Sequence, residues 1–161
     1  CATETESPVY LRLAKAGEPD LTAEAVDPFQ VGKLRFLTRG SDTCIIAYGA
    51  AVKMAVEVAE KLLEKRQESV SVVSTHTLKP LDVDGVIGAL ASHRRVVVIE
   101  EHVPQGGLGA RVKEIAWDCG ADCEILCFSL QDAFLHVYGN HEDLLAAHGL
   151  STEAILTRLL A

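Results

Sequence analysis

The chain has 161 residues, 48% of them hydrophobic but only 5% aromatic, and a formal net charge of −8. That length suits one domain plus an arm, and an apolar content made mostly of Val, Ala, Leu and Ile suits parallel strands covered by helices on both faces. The acidic balance argues against nucleic acid and anionic membranes as partners. No apolar run approaches the roughly 20 residues that span a bilayer and no signal-peptide pattern is visible, so the expected compartment is cytoplasmic.

Before residue 8 there is no helix or strand signal, and the first residue is Cys1, which reads as a start inside a longer polypeptide. Pro8-Val9-Tyr10-Leu11-Arg12-Leu13 alternates like a strand and then meets the turn cluster Lys15-Ala16-Gly17-Glu18-Pro19. It has no neighbouring strand in sequence to pair with. Residues 18–32 are aperiodic, and residues 1–32 hold six acids against Arg12 and Lys15, half of the net charge. This stretch reads as a linker or an arm lying over another surface.

Leu34-Arg35-Phe36-Leu37 is a short predicted strand, and a tight turn at Arg39-Gly40-Ser41-Asp42 leads into Thr43-Cys44-Ile45-Ile46-Ala47-Tyr48. A tight turn predicts that these two strands pair antiparallel. Residues 50–66 form the clearest helix: Val52, Ala55, Val56, Ala59, Leu62 and Leu63 fall on one face, with Glu57 and Lys61 spaced for an ion pair on the other. Val70-Ser71-Val72-Val73-Ser74 is the next strand. A helix then follows Asp82 with Val83, Val86, Ile87 and Leu90 inward, and Asp82 and Asp84 sit where a helix N-terminus favours negative charge.

Residues 95–100 are a nearly continuous apolar run, the mark of a strand covered on both faces. A helix over 108–117, a strand over 124–128, a capping box at Asn140 and Asp143, a stop at Gly149 and a last helix capped by Ser151 complete the chain. One antiparallel edge followed by strand–helix alternation predicts a three-layer α/β/α sandwich around a mostly parallel five-stranded sheet, because such crossovers are right-handed.

The odd count of five cysteines fits reduced thiols. Cys123 and Cys127 are about 13 Å apart along a strand, too far for two ligands of one ion, so no metal site is expected there. In open α/β sheets ligands meet the carboxyl ends of strands. The Gly106-Gly107-Leu108-Gly109 turn lies there at a helix start, where free N–H groups can hold an anion. It lacks the third glycine of a dinucleotide fingerprint, since Val112 stands in that place, and a packing turn is the favoured reading over an anion-binding turn. Glu100, Glu101 and His102 cannot all aim at one reacting atom and read as solvated or interface residues, with Glu101 and His102 as the interface candidates. His93, His136, His141 and His148 read as surface residues.

Taken in order, Ser7-Pro8-Val9-Tyr10-Leu11-Arg12-Leu13, Cys44-Ile45-Ile46-Ala47-Tyr48-Gly49, Thr77-Leu78-Lys79-Pro80-Leu81-Asp82, Val98-Ile99-Glu100-Glu101-His102, Gly106-Gly107-Leu108-Gly109 and Tyr138-Gly139-Asn140-His141-Glu142-Asp143-Leu144 resemble the C-terminal domain of the transketolase family. That family of thiamine diphosphate enzymes includes 1-deoxyxylulose-5-phosphate synthase and the pyruvate dehydrogenase beta subunit. His76-Thr77-Leu78-Lys79-Pro80 resembles the C-terminal halves of split, two-polypeptide transketolases more than the long single-chain ones.

The resemblance implies that residues 1–32 are the end of a pyrimidine-binding domain and its connector, and that residues 33–161 are the C-terminal domain proper. It implies partners in the pyrimidine- and diphosphate-binding domains, a homodimer, and thiamine diphosphate with a divalent metal in the holoenzyme, while the fragment alone neither holds the cofactor strongly nor catalyses. Arg12, Lys15 and His76 match positions near the substrate phosphate; Lys15 stands where arginine is usual, and His76 replaces an arginine of the deoxyxylulose synthases. That replacement favours transfer of a two-carbon ketol unit between sugar phosphates. The alternatives are a nucleotide- or phosphate-binding regulatory module using Gly106 to Gly109, another family member, or a purely structural dimerisation domain.

Overall fold

In the computed structural model, which describes residues 6–13, 19–23 and 25–161, five strands and five helices follow one another along the chain. The strands are β1 (Arg35–Thr38), β2 (Thr43–Ala47), β3 (Val70–Ser74), β4 (Arg95–Ile99) and β5 (Glu124–Phe128). The helices are α1 (Ala51–Arg66), α2 (Val83–Ser92), α3 (Leu108–Cys119), α4 (His141–Ala147) and α5 (Thr152–Leu160). The sheet order is β1-β3-β2-β4-β5, with β1 antiparallel and the other four parallel. The expected three-layer architecture is therefore the observed one.

Strand alternation divides the core. Ile45, Ala47, Val97 and Ile99 point toward α1 and α5, while Cys44, Ile46, Val96 and Val98 point toward α2 and α3. Every residue of β2 is buried, because both its neighbours and both its faces are covered.

Several expectations are corrected. The tight turn at Arg39 does not make a β1–β2 hairpin: β3 lies between them and β1 pairs with β3, Arg35 opposite Ser74. Gly40 explains the turn's geometry, since a Cβ there would overlap the backbone of Ser69 and Val70, so the chain crosses the end of β3 rather than folding back beside β1. Residues 8–13 form no strand; Tyr10, Leu11 and Leu13 are exposed, because alternation without a hydrogen-bonding neighbour does not make a sheet. On α1 the inward face is rotated: Val58 is buried and Leu63 exposed. Glu57 meets Lys53 and the Thr152 hydroxyl rather than Lys61. Val83 and Ile87 of α2 are partly exposed while Ala89 is buried. His93 is buried, not superficial, with Nε2 against Ser71 Oγ and Nδ1 against the Ala89 carbonyl.

Asp82 joins the connector to α2. Its carboxyl group accepts from the Leu34 N–H at 3.0 Å, the Lys33 ammonium at 3.0 Å and the Gly85 N–H at 3.2 Å. Burial alone would raise its pKa, but these donors together hold it below the usual aspartate value. Asp82→Ala removes a helix cap and strands the buried Leu34 N–H, and is expected to cost about 2–4 kcal/mol in urea unfolding. Because the folded-state pKa is depressed, the carboxylate's contribution is present above the ordinary aspartate pKa and is lost as pH falls through the lower folded value.

Candidate functional site

The carboxyl ends of β2, β3, β4 and β5 open on one end of the sheet, and the loops there carry the candidate residues. At the end of β4 the Glu100 side chain is 1% exposed, and it reaches the N-terminus of α3, where Oε2 accepts from the Leu108 N–H at 2.7 Å and Oε1 from the Gly109 N–H at 2.8 Å. A helix start leaves N–H groups without intrahelical partners and carries a partial positive charge, so a carboxyl group is a fitting occupant. The chain's own Glu100 thus stands where an external anion would lie.

This contact also dictates the glycines. A Cβ at Gly107 would overlap both Glu100 carboxyl oxygens, and one at Gly109 would press on Cys127 Sγ at 2.9 Å and Glu100 Oε1 at 3.0 Å. Gly106 has φ 74° with open space around it, so it serves the turn's conformation rather than its packing. The adjoining cavity, bordered by Glu100, Lys113, Cys127 and Ser129, measures about 120 Å³, well below the roughly 300 Å³ at which small-molecule pockets begin.

At the end of β3, Thr75 and His76 carry the two buried side-chain polar atoms that lack a hydrogen-bond partner among the described residues, Thr75 Oγ1 and His76 Nε2. His76 Nδ1 lies 2.9 Å from Thr77 Oγ1, and the Phe29 ring stacks on the imidazole with centroids 4.4 Å apart and planes inclined by 32°. Burial first, then the Arg35 charge, lowers the His76 pKa, which favours the neutral ring. Phe29 reaches this place because Asp27 is pinned to β1: its backbone carbonyl accepts from Arg35 Nε at 3.0 Å, and its carboxylate accepts from Arg39 at 2.8 Å.

The other sequence candidates are more dispersed. Arg12 is exposed and lies near Tyr48, whose phenol is pushed above its ordinary pKa by burial and then by the Glu100 charge, against the opposing effect of Arg12. No hydrogen bond joins Arg12 to His76 among the described residues, and Lys15 lies outside them. Glu101 meets His141 at 3.1 Å, tying the loop after β4 to α4; the exposed His102 ring lies against the carbonyl of its neighbour Val103, and the His102 backbone carbonyl accepts from the Leu130 N–H at 2.9 Å. Between β5 and α4, Phe134 and Tyr138 are almost wholly exposed. Tyr10, Leu11 and Leu13 of the arm are exposed as well. Burial pushes the Cys44 thiol up to about 12 and raises those of Cys123 and Cys127, which makes none of these three an activated nucleophile.

Residues 32–155 match the family described as "Transketolase, C-terminal domain". The chain belongs to that family. It is 32% identical over 155 residues to 1-deoxy-D-xylulose-5-phosphate synthase of Alcanivorax borkumensis, covering 96% of this chain and 23% of that protein. It is also 32% identical over 148 residues to one of the subunits of apulose-4-phosphate transketolase from Phocaeicola vulgatus, covering 92% of this chain and 46% of that one. Among solved structures, a split-gene transketolase described as an inactive beta4 tetramer superposes with a TM-score of 0.85 at 30% identity, over 99% of this chain and 51% of that one. The transketolase of Campylobacter jejuni, at 17% identity and a TM-score of 0.57, shares the fold. The chain spans about half the length of the apulose-4-phosphate transketolase relative and about a quarter of the synthase.

Glu100→Ala leaves two buried N–H groups unmet at about 1–3 kcal/mol each, so a loss of about 2–6 kcal/mol is expected in urea unfolding. Gly107→Ala should lose a similar amount by expelling the carboxyl group, whereas Gly88→Ala at an exposed position of α2, with nothing within 4 Å of its new Cβ, should gain about 0.5–1 kcal/mol.

Proposed function

We propose that this chain is the C-terminal part of a split transketolase-like enzyme, whose holoenzyme moves a two-carbon ketol unit between sugar phosphates. The observation that carries the reading is the near-complete superposition on one half of a split-gene transketolase chain, reinforced by the similarity to apulose-4-phosphate transketolase. Residues 1–32 are read as the end of the pyrimidine-binding domain and its connector, and residues 33–161 as the C-terminal domain. The exposed apolar side chains of the arm and of the loop before α4 support contact with the pyrimidine- and diphosphate-binding domains. The holoenzyme is read as cytoplasmic, with two copies of this chain pairing within it.

Thiamine diphosphate and a divalent metal belong to that holoenzyme. Among the described residues no three His, Cys, Asp or Glu side chains group as metal ligands, and the α3 N–H groups that could take a diphosphate are held by Glu100. These residues do not fit the cofactor, and no step is assigned to it on this chain. What the chain contributes is packing and, through His76, Arg12 and Lys15, contact with the substrate phosphate. His76 offers a single ring N–H where deoxyxylulose synthases carry a guanidinium fork, which favours ketol transfer over deoxyxylulose synthesis despite the 32% identity.

A polypeptide extended upstream by the rest of the pyrimidine-binding domain, and combined with the diphosphate-binding partner, should transfer a ketol unit in a thiamine-dependent assay. Inactivity with every sugar phosphate pair would overturn the reading. In the active assembly His76→Ala should raise KM for the sugar phosphate by about 5- to 10-fold, the worth of one buried hydrogen bond.

A further inference from the structure

The chain treats the two edges of its sheet differently. At the β1 edge the connector meets the backbone of Phe36: the Asp27 N–H donates to the Phe36 carbonyl at 3.2 Å, and the Asp27 carboxylate accepts from the Phe36 N–H at 3.2 Å. The β5 edge has no such cover. The Glu124 N–H donates to the Arg94 carbonyl and the Phe128 carbonyl accepts from the Glu100 N–H, so residues 124, 126 and 128 turn their backbone groups toward β4. Those of Ile125, Cys127 and Ser129 point away from the sheet, and they have no hydrogen-bond partner among the described residues.

This edge is also not blunted against pairing. β5 holds no Lys or Pro and runs in unbroken register with β4, and its one charge, Glu124, is engaged by Arg95 at 2.6 Å. Ile125, Cys127 and Ser129 are each partly exposed, so a partner can reach them. Leu126 and Phe128, on the face opposite α3, are only partly buried as well.

We propose that the β5 edge is the surface on which a second copy of this chain pairs, antiparallel and related by a two-fold axis at Cys127, so that two five-stranded sheets join into one. The side chains favour a copy of the same strand as the occupant. With the outward groups of Ile125 bonded to Ser129 of the second copy, and those of Cys127 to its counterpart, Leu126 lies against Phe128 of the second copy. Each partly exposed apolar side chain is thereby covered by another, and the two Glu124 side chains stay at opposite ends of the ladder instead of facing each other. The proposal gives the pairing of two copies its surface. It rests on the strand edge and not on ketol transfer, so loss of the transketolase reading leaves it standing, and a dimer held elsewhere overturns it alone.

Amide hydrogen exchange of this chain in dilute and concentrated solution, with sedimentation velocity on the same samples, tests the pairing. The Ile125 and Cys127 N–H groups should exchange quickly in the monomer and at least about tenfold more slowly in the dimer, which should form at concentrations on the order of 10–100 μM, as suits an interface at the small end of the stable range. The Leu126 and Phe128 N–H groups, bonded to β4, should be protected throughout. Ser129→Pro removes one outward donor and none that β4 uses, so it should keep the fold and leave the chain monomeric. Ser129→Ala, which keeps the N–H, should dimerise like the wild type.

Sedimentation as a monomer at every concentration, or a dimer whose Ile125 and Cys127 amides exchange as they do in the monomer, would overturn the proposal. So would a Ser129→Pro variant that dimerises as the wild type does while its amide spectrum shows the native fold.

Discussion

The Glu100 carboxyl group joins the end of the central strand β4 to the first turn of α3, and much of the local architecture depends on it. The Glu100 backbone N–H also extends the β4–β5 ladder by donating to the Phe128 carbonyl at 3.0 Å, so one residue fixes the strand end and the helix start together. Two orphan donors of the helix are met inside the fold, and the helix is drawn close enough to the sheet that a Cβ at position 107 or 109 would meet the Glu100 carboxyl group, and at 109 also Cys127. The Gly-rich turn is thereby a structural joint. Its resemblance to a phosphate cradle comes from shared physics, a helix N-terminus that seeks negative charge, with the anion supplied by the chain itself.

With that end of the sheet closed by Glu100, the unmet polar chemistry lies at β3. Thr75 Oγ1 and His76 Nε2 are buried on consecutive residues without partners among the described residues. The connector laid along β1 by Asp27, Arg35 and Arg39 brings Phe29 to the same place. The arm and the loop before α4 add exposed apolar side chains, Tyr10, Leu11, Leu13, Phe134 and Tyr138. Partner domains or subunits, as the similarity to a split-gene transketolase implies, account for the exposed side chains.

Local rules recover most of this fold. The caps at Asp82, Asn140 and Ser151 are where hydrogen-bonding side chains precede apolar helical periods, and the buried parallel strands are where apolar runs are continuous. Those rules fail where the deciding contact is distant in sequence. The position of β1 beside β3 depends on Gly40 passing over residues about thirty positions away. His93 looks superficial in sequence because its partners Ser71 and Ala89 come from a separate strand and from the preceding helix. Glu100 looks solvated until its carboxyl group is seen on α3; the available signal is an acid ending an apolar strand eight residues before a helix that opens on glycines. Phe29 carries no signal at all, since a lone aromatic in an aperiodic segment says nothing of the histidine it will meet.

Amide hydrogen exchange at Leu108 and Gly109 tests the Glu100 joint most directly. If the carboxyl group holds both N–H groups, they exchange in the wild type as slowly as the core amides of β4, and in Glu100→Ala they exchange through local opening while β4 remains protected. Rapid exchange of both amides in the wild-type chain, or equal protection in the variant, would contradict the account.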